Sequence, residues 1–80
     1  MRVKVKLNNI NDVILFIEKT NNYQCCDGDY IYQNQIVDFR SFMGIISIGL
    51  NKKCVVNFLS DDEDLCNKFK EDIRLWIVEE

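Results

Sequence analysis

Residues 2–7, RVKVKL, alternate charged and apolar side chains with a period of two. That spacing gives an extended strand one wet and one dry face, with Val3, Val5 and Leu7 on the buried side and basic residues on the other. A few residues later the period changes. After NNIND, the segment DVILFIEKTNN has helical spacing, with a cap expected at Asn11 or Asp12, Val13, Ile17 and Thr20 along one stripe, and an end at Asn21 and Asn22. CCDGDYIYQNQIVDF returns to extended spacing and reads as a hairpin, its aromatic and β-branched clusters lying on either side of Gln33, Asn34 and Gln35. A short helix starting at Ser41 is stopped by Gly49, and KKCVVNFL then gives a fourth strand. SDDEDLCNKFKEDIRLWIVEE opens on Ser60 as a cap, with four acids suited to the positive end of a helix dipole. Its Leu65, Phe69, Ile73, Trp76 and Ile77 follow helical spacing.

Two alternating periods, with no linker and no internal repeat, leave little choice of architecture. The order β-α-β-β-α-β-α predicts an α+β fold in which a four-stranded antiparallel sheet carries three helices on one face. Residues 1–80 are expected to form a single domain, near the lower size at which a core closes without covalent help. A net charge of −3 and a pI near 4.8 argue against direct binding to nucleic acid, whose readers carry a basic field. No segment approaches the apolar length of a membrane span, and MRVKVKL alternates where a signal peptide has a continuous apolar core. A cytoplasmic protein with no membrane partner is the expectation, and Cys25, Cys26, Cys54 and Cys66 read as reduced thiols.

SFMGIISIGL, residues 41–50, holds more bulky apolar side chains than one face of a short helix needs. At about 100° per residue, Ile45 and Ile48 fall together, while Phe42, Met43 and Ile46 cluster well away from them. Both sets cannot face one core. Either a loop covers the second set, or Phe42, Met43 and Ile46 form a protein-docking patch in which Met adapts to shape and Phe anchors.

The longer stretch VDFRSFMGIISIGL resembles the region around the regulatory serine of HPr, the histidine-containing phosphocarrier family of the bacterial sugar phosphotransferase system. The family pattern there is a hydrophobic residue, two others, Lys or Arg, then Ser-Ile-Met-Gly-Val-x-Ser-Leu-Gly. Arg40, Ser41, Met43, Gly44, Ser47 and Gly49 match it directly, and Phe42, Ile45 and Ile48 are apolar replacements. The resemblance implies an open-faced sandwich with the element order derived above.

The family's other signature, a phosphate-accepting His followed by Ala-Arg-Pro-Ala, is missing, since the chain has no His and no Pro. Alignment from the serine puts the acceptor position at Ile10, or at Asn9 with a one-residue gap. The position of the phosphate-neutralising Arg holds Asn11 or Asp12. An aspartate there repels phosphate where a guanidinium would hold it. The combination is similar to catabolite-repression HPr homologues, which replace the histidine and retain the serine. It implies phosphorylation of Ser41 by HPr kinase with ATP, and a transcriptional regulator as the partner bound through Arg40, Phe42, Met43 and Ile46.

No other constellation competes. Adjacent Cys25 and Cys26 lack the Cys-x-x-Cys spacing of a redox pair or zinc site, and Cys54 and Cys66 fit as small core residues. The run Asp61–Asp64 reads as a solvated helix start, because consecutive carboxylates do not converge on one cation. Trp76 reads as a core or core-edge residue. With no histidine, no glycine-rich loop and no base beside a nucleophile, neither an enzyme nor a cofactor or metal is expected. The competing function is a constitutive interaction module without phosphate chemistry.

Overall fold

The computed structural model describes residues 1–78. The elements are β1 (Arg2–Lys6), α1 (Ile10–Asn21), β2 (Asp27–Tyr32), β3 (Gln35–Asp38), α2 (Phe42–Ile48), β4 (Lys53–Leu59) and α3 (Glu63–Asp72), then a 3₁₀ turn at Arg74–Trp76. The sheet runs β1-β4-β2-β3 with every pair antiparallel, so β4, late in the sequence, is inserted between β1 and β2. Its register sets Val5 against Cys54 and Tyr30 against Val56. These four, with Phe58, are buried on one face, as the period-two pattern requires.

The helices cover that face. Val13, Phe16 and Thr20 of α1, Ile45 and Ile48 of α2, and Phe69 of α3 are all buried. At one end the Phe58 and Phe69 rings stack at 4.5 Å between centroids, and Tyr23 meets both edge-on. Each such pair adds about 0.5–1.5 kcal/mol beyond simple burial. The fold expected from the sequence, an open-faced sandwich with three helices on one side of a four-stranded antiparallel sheet, is the one found.

Several boundaries differ. Helix α1 is capped by Asn9, not by Asn11 or Asp12; the Asn9 side chain accepts from the Asp12 N–H at 2.8 Å, and the Asp12 carboxylate accepts from the Asn8 N–H at 3.0 Å. This reciprocal arrangement is a capping box displaced by one residue, and it fixes the start two residues early. Phe16 takes the centre of the buried stripe, edge-on to Tyr30 and to Trp76 at 5.9 Å each, and leaves Ile17 half-buried at the margin. The hairpin turn is the two-residue Gln33–Asn34, with Gln33 at φ 54, so Gln35 already belongs to β3.

Asp62, not Ser60, caps α3, while the Ser60 hydroxyl accepts the Asp62 N–H at 3.1 Å. The helix ends at Asp72, so Trp76 and Ile77 lie beyond it. Ile77 forms a bridge with Val5, and the Val78 N–H donates to the Lys4 carbonyl at 2.9 Å. An extended tail satisfies the open edge of β1, which a continued helix would leave bare. The expectation for Glu79 and Glu80 lies outside the described residues. Among the described residues no helix is long and apolar enough to cross a membrane.

Candidate functional site: helix α2 and its cap

Ser41 ends the extended chain leaving β3, with φ −88° and ψ 103°, and its Oγ accepts the Gly44 N–H at 3.1 Å. This is the capping geometry expected of a serine at a helix start. Gly44 lets the helix settle on the sheet, because a β-carbon there would lie 2.8 Å from the Val37 Cβ. At the other end the Lys52 ammonium donates to the Ile48 carbonyl at 2.9 Å, occupying an acceptor the helix leaves open. The segment is therefore fixed at both ends.

The apolar residues divide as the helical wheel requires. Ile45 and Ile48 are buried in the core, whereas Met43 is 77% exposed and Phe42 39% exposed. Ile46 is only half-buried and packs against the core margin. The outward apolar surface is thus Phe42 and Met43, with Ile46 contributing a flank. Ser41 is partly accessible beside them.

Arg40 does not present its guanidinium to this surface. Nη2 donates to the Tyr23 carbonyl at 2.7 Å and to the Cys26 carbonyl, Nη1 lies 3.7 Å from the Asp27 carboxylate, and the group covers the Phe39 ring. Phe39 in turn packs into the space left by Gly28, where an added β-carbon would lie 2.4 Å from the ring. The side chain expected to meet a partner or a phosphate is instead a strut between the α1–β2 loop and the β3–α2 turn. The Arg40 backbone N–H donates to the Asp38 carboxylate at 2.8 Å, which places a negative charge three residues before Ser41.

At the start of α1, Asn9 is spent on capping and Ile10, 54% exposed, is the first helical residue. Neither side chain offers a nitrogen nucleophile, and the Asp12 carboxylate occupies the turn where an anion would otherwise approach free amides. The spacing Asn9-x-x-Asp12 was the sequence signal for this start.

The thiols form no catalytic arrangement. Cys54 is buried, and burial pushes its thiol above the usual range. Cys26 lies with its sulfur 3.5 Å from that of Cys25, and desolvation first, then that contact, raise it too. A raised thiol is a poor nucleophile at neutral pH. Cys66 points at the Ser60 carbonyl. Two surface grooves, one along Met1 and Asn57–Asp61 and one between Leu15, Lys19, Leu75 and Trp76, share no residue with α2 or its cap.

No protein-family model matches the sequence, and no curated protein does. Solved structures do match the fold. The crystal structure of the phosphocarrier protein HPr from Bacillus anthracis str. Ames is similar with a TM-score of 0.65 and 19% identity, over 90% of this chain and 94% of that one. HPr-C-His from Thermoanaerobacter tengcongensis is similar with a TM-score of 0.67 and 24% identity, over 91% and 89%. The architecture built by this sequence is that of the HPr phosphocarrier proteins.

Proposed function

We propose that this chain is an HPr-fold regulatory module that has lost the histidine phosphocarrier reaction and docks a protein partner through α2. The observation that carries the reading is the contrast between the two helix starts. At α1 the acceptor position holds Asn9 or Ile10, and the first turn is closed by Asn9 and Asp12. At α2 a partly accessible Ser41 adjoins an exposed Phe42 and Met43, an anchor and an adaptable side chain that suit protein docking.

In this reading HPr kinase transfers the γ-phosphoryl group of ATP to Ser41, and the added charge changes which partner, a transcriptional regulator, the apolar surface accepts. The resemblance of residues 37–50 to the family's regulatory-serine region supports the choice of kinase and partner. The test is intact-mass spectrometry with peptide mapping after incubation with HPr kinase and ATP. One added phosphate on Ser41, abolished by Ser41→Ala, is expected. Phosphoenolpyruvate with the general phosphotransferase enzyme should add none, and an acid-labile product in that reaction would overturn the loss of carrier function.

The Arg40 geometry favours one alternative. With its guanidinium held by the Tyr23 and Cys26 carbonyls, and with Asp38 nearby, a phosphoserine lacks its expected cation. An unmodified mass, under conditions that fully label an ordinary HPr, leaves a constitutive docking module.

A further inference from the structure

We propose that the sheet face opposite the helices is self-complementary, and that two copies of this chain associate through it about a two-fold axis. Alternation places Arg2, Lys4 and Lys6 of β1 and Lys53 of β4 on that face, opposite the buried Val5 and Cys54. The same rule places Asp27 and Asp29 of β2 and Asp38 of β3 there, alternating with Gly28 and Tyr30. One lateral half of the face is basic and the other acidic. Between them lie Val55 and Ile31, directly paired, with Ile36 beside Ile31 and 64% exposed.

Two cross-strand pairs on this face are unfavourable in the single chain. Lys6 lies opposite Lys53, and Asp29 lies opposite Asp38. Like charges directly opposed in a sheet are destabilising. The two pairs have opposite signs, occupy opposite halves and lie two rows apart along the strands, so each half carries an unbalanced charge of its own.

The register decides how two copies meet. Arg2, Asn57, Asp29 and Asp38 form one row across the four strands, and Lys4, Val55, Ile31 and Ile36 form the next. A two-fold axis along the strands, between β4 and β2, brings β1 of each copy over β3 of the other when the sheets pack nearly aligned. Arg2 then faces Asp38 of the second copy and Asn57 faces Asp29; in the next row Val55 faces Ile31, and the aliphatic stem of Lys4 lies over Ile36 with its ammonium toward the Asp38 row. An axis across the strands would stack basic on basic, so charge selects the first arrangement. The interface is isologous and closes at two copies.

Its size makes it a weak interface. At ~4.8 Å between strands and ~3.4 Å per residue, the face covers on the order of 400 Å² per copy. The total falls below the roughly 1,200 Å² of stable complexes, so the dissociation constant should be about 0.1–1 mM. The dimer leaves both α2 surfaces outward, and such a pair is bivalent toward a dimeric partner without any new contact. The inference does not depend on Ser41 or on the reading of α2.

Sedimentation equilibrium of the full chain up to about 1 mM, with ¹⁵N shift mapping over the same concentrations, tests it. Dimer formation should weaken about tenfold between low and high salt, and the moving resonances should be those of Arg2, Ile31, Asp38 and Val55. Arg2→Asp should weaken association about tenfold, since each charge pair occurs twice, and Arg2→Asp with Asp38→Arg should recover most of it. A monomer throughout, shifts confined to α2, or association indifferent to Arg2→Asp would overturn the proposal. Thermal melts verify that each variant folds. If the double variant does not fold, the shift map of the unaltered chain decides.

Discussion

Replacing Met43 by Asp, beside a control at Ile45 two residues away, tests whether α2 has an outward face. Met43 is 77% exposed, so only about a quarter of the roughly 2 kcal/mol for burying a methionine is at stake, or about 0.5 kcal/mol. The poorer helix propensity of Asp costs about another 0.5 kcal/mol. A carboxylate in the first turn returns about 0.3–1 kcal/mol through the helix dipole. The net loss stays below about 1 kcal/mol, which for a domain this small lowers Tm by less than about 6 °C. Ile45 is 0% exposed, and Ile45→Ala should cost about 2–5 kcal/mol, a drop of at least about 10 °C. Differential scanning fluorimetry resolves these shifts, and circular dichroism at 222 nm checks that both variants are helical. If Met43→Asp lowered Tm by more than about 10 °C, the side chain would be packed and the docking surface would not exist.

Arg40→Met should destabilise by about 1–3 kcal/mol in urea unfolding, because it removes a charged donor from the part-buried Tyr23 and Cys26 carbonyls, and Arg40→Lys should restore only part of that. Ser41→Ala and Asn9→Ala should each cost about 1 kcal/mol in the same assay, through the lost caps, whatever the role of phosphorylation. Burial holds the Tyr30 hydroxyl, beside the Cys54 thiol, and the Tyr23 hydroxyl, bonded to Asp72, protonated well above their usual value; the buried Cys54 thiol is raised likewise. The unfolded chain releases these protons first, so these groups leave stability unchanged up to about pH 8 and lower it above that. Once both tyrosines are engaged, above about pH 10, each should contribute about 1.4 kcal/mol per pH unit to that fall. Chemical denaturation at stepped alkaline pH measures the slope, and a flat profile to pH 11 would refute it.

The sequence determines the elements and their buried faces. Period-two spacing put Val5 inward, helical spacing put Ile45 and Ile48 on one side, and Ser41 and Gly49 punctuated α2, all of which depend on a residue and neighbours within a turn or two. The resemblance at residues 37–50 supplied the fold family, which periodicity cannot distinguish from other α+β sandwiches. Boundaries decided by contacts distant in sequence were not legible. Ile77 leaves helical geometry because the edge of β1, some seventy residues earlier, offers it a partner. Phe16 displaces Ile17 from the centre of the stripe because Tyr30 and Trp76 meet it edge-on. Arg40 is the clearest case. Its position in the motif marked it as a surface cation, yet the chain folds the Tyr23 and Cys26 carbonyls to within reach of it, and a guanidinium with two part-buried acceptors at hand turns inward. The opposed charges of the open sheet face belong to the same class, since strand order, and not sequence order, sets Lys6 beside Lys53 and brings the rows of Arg2 and Asp38 into line.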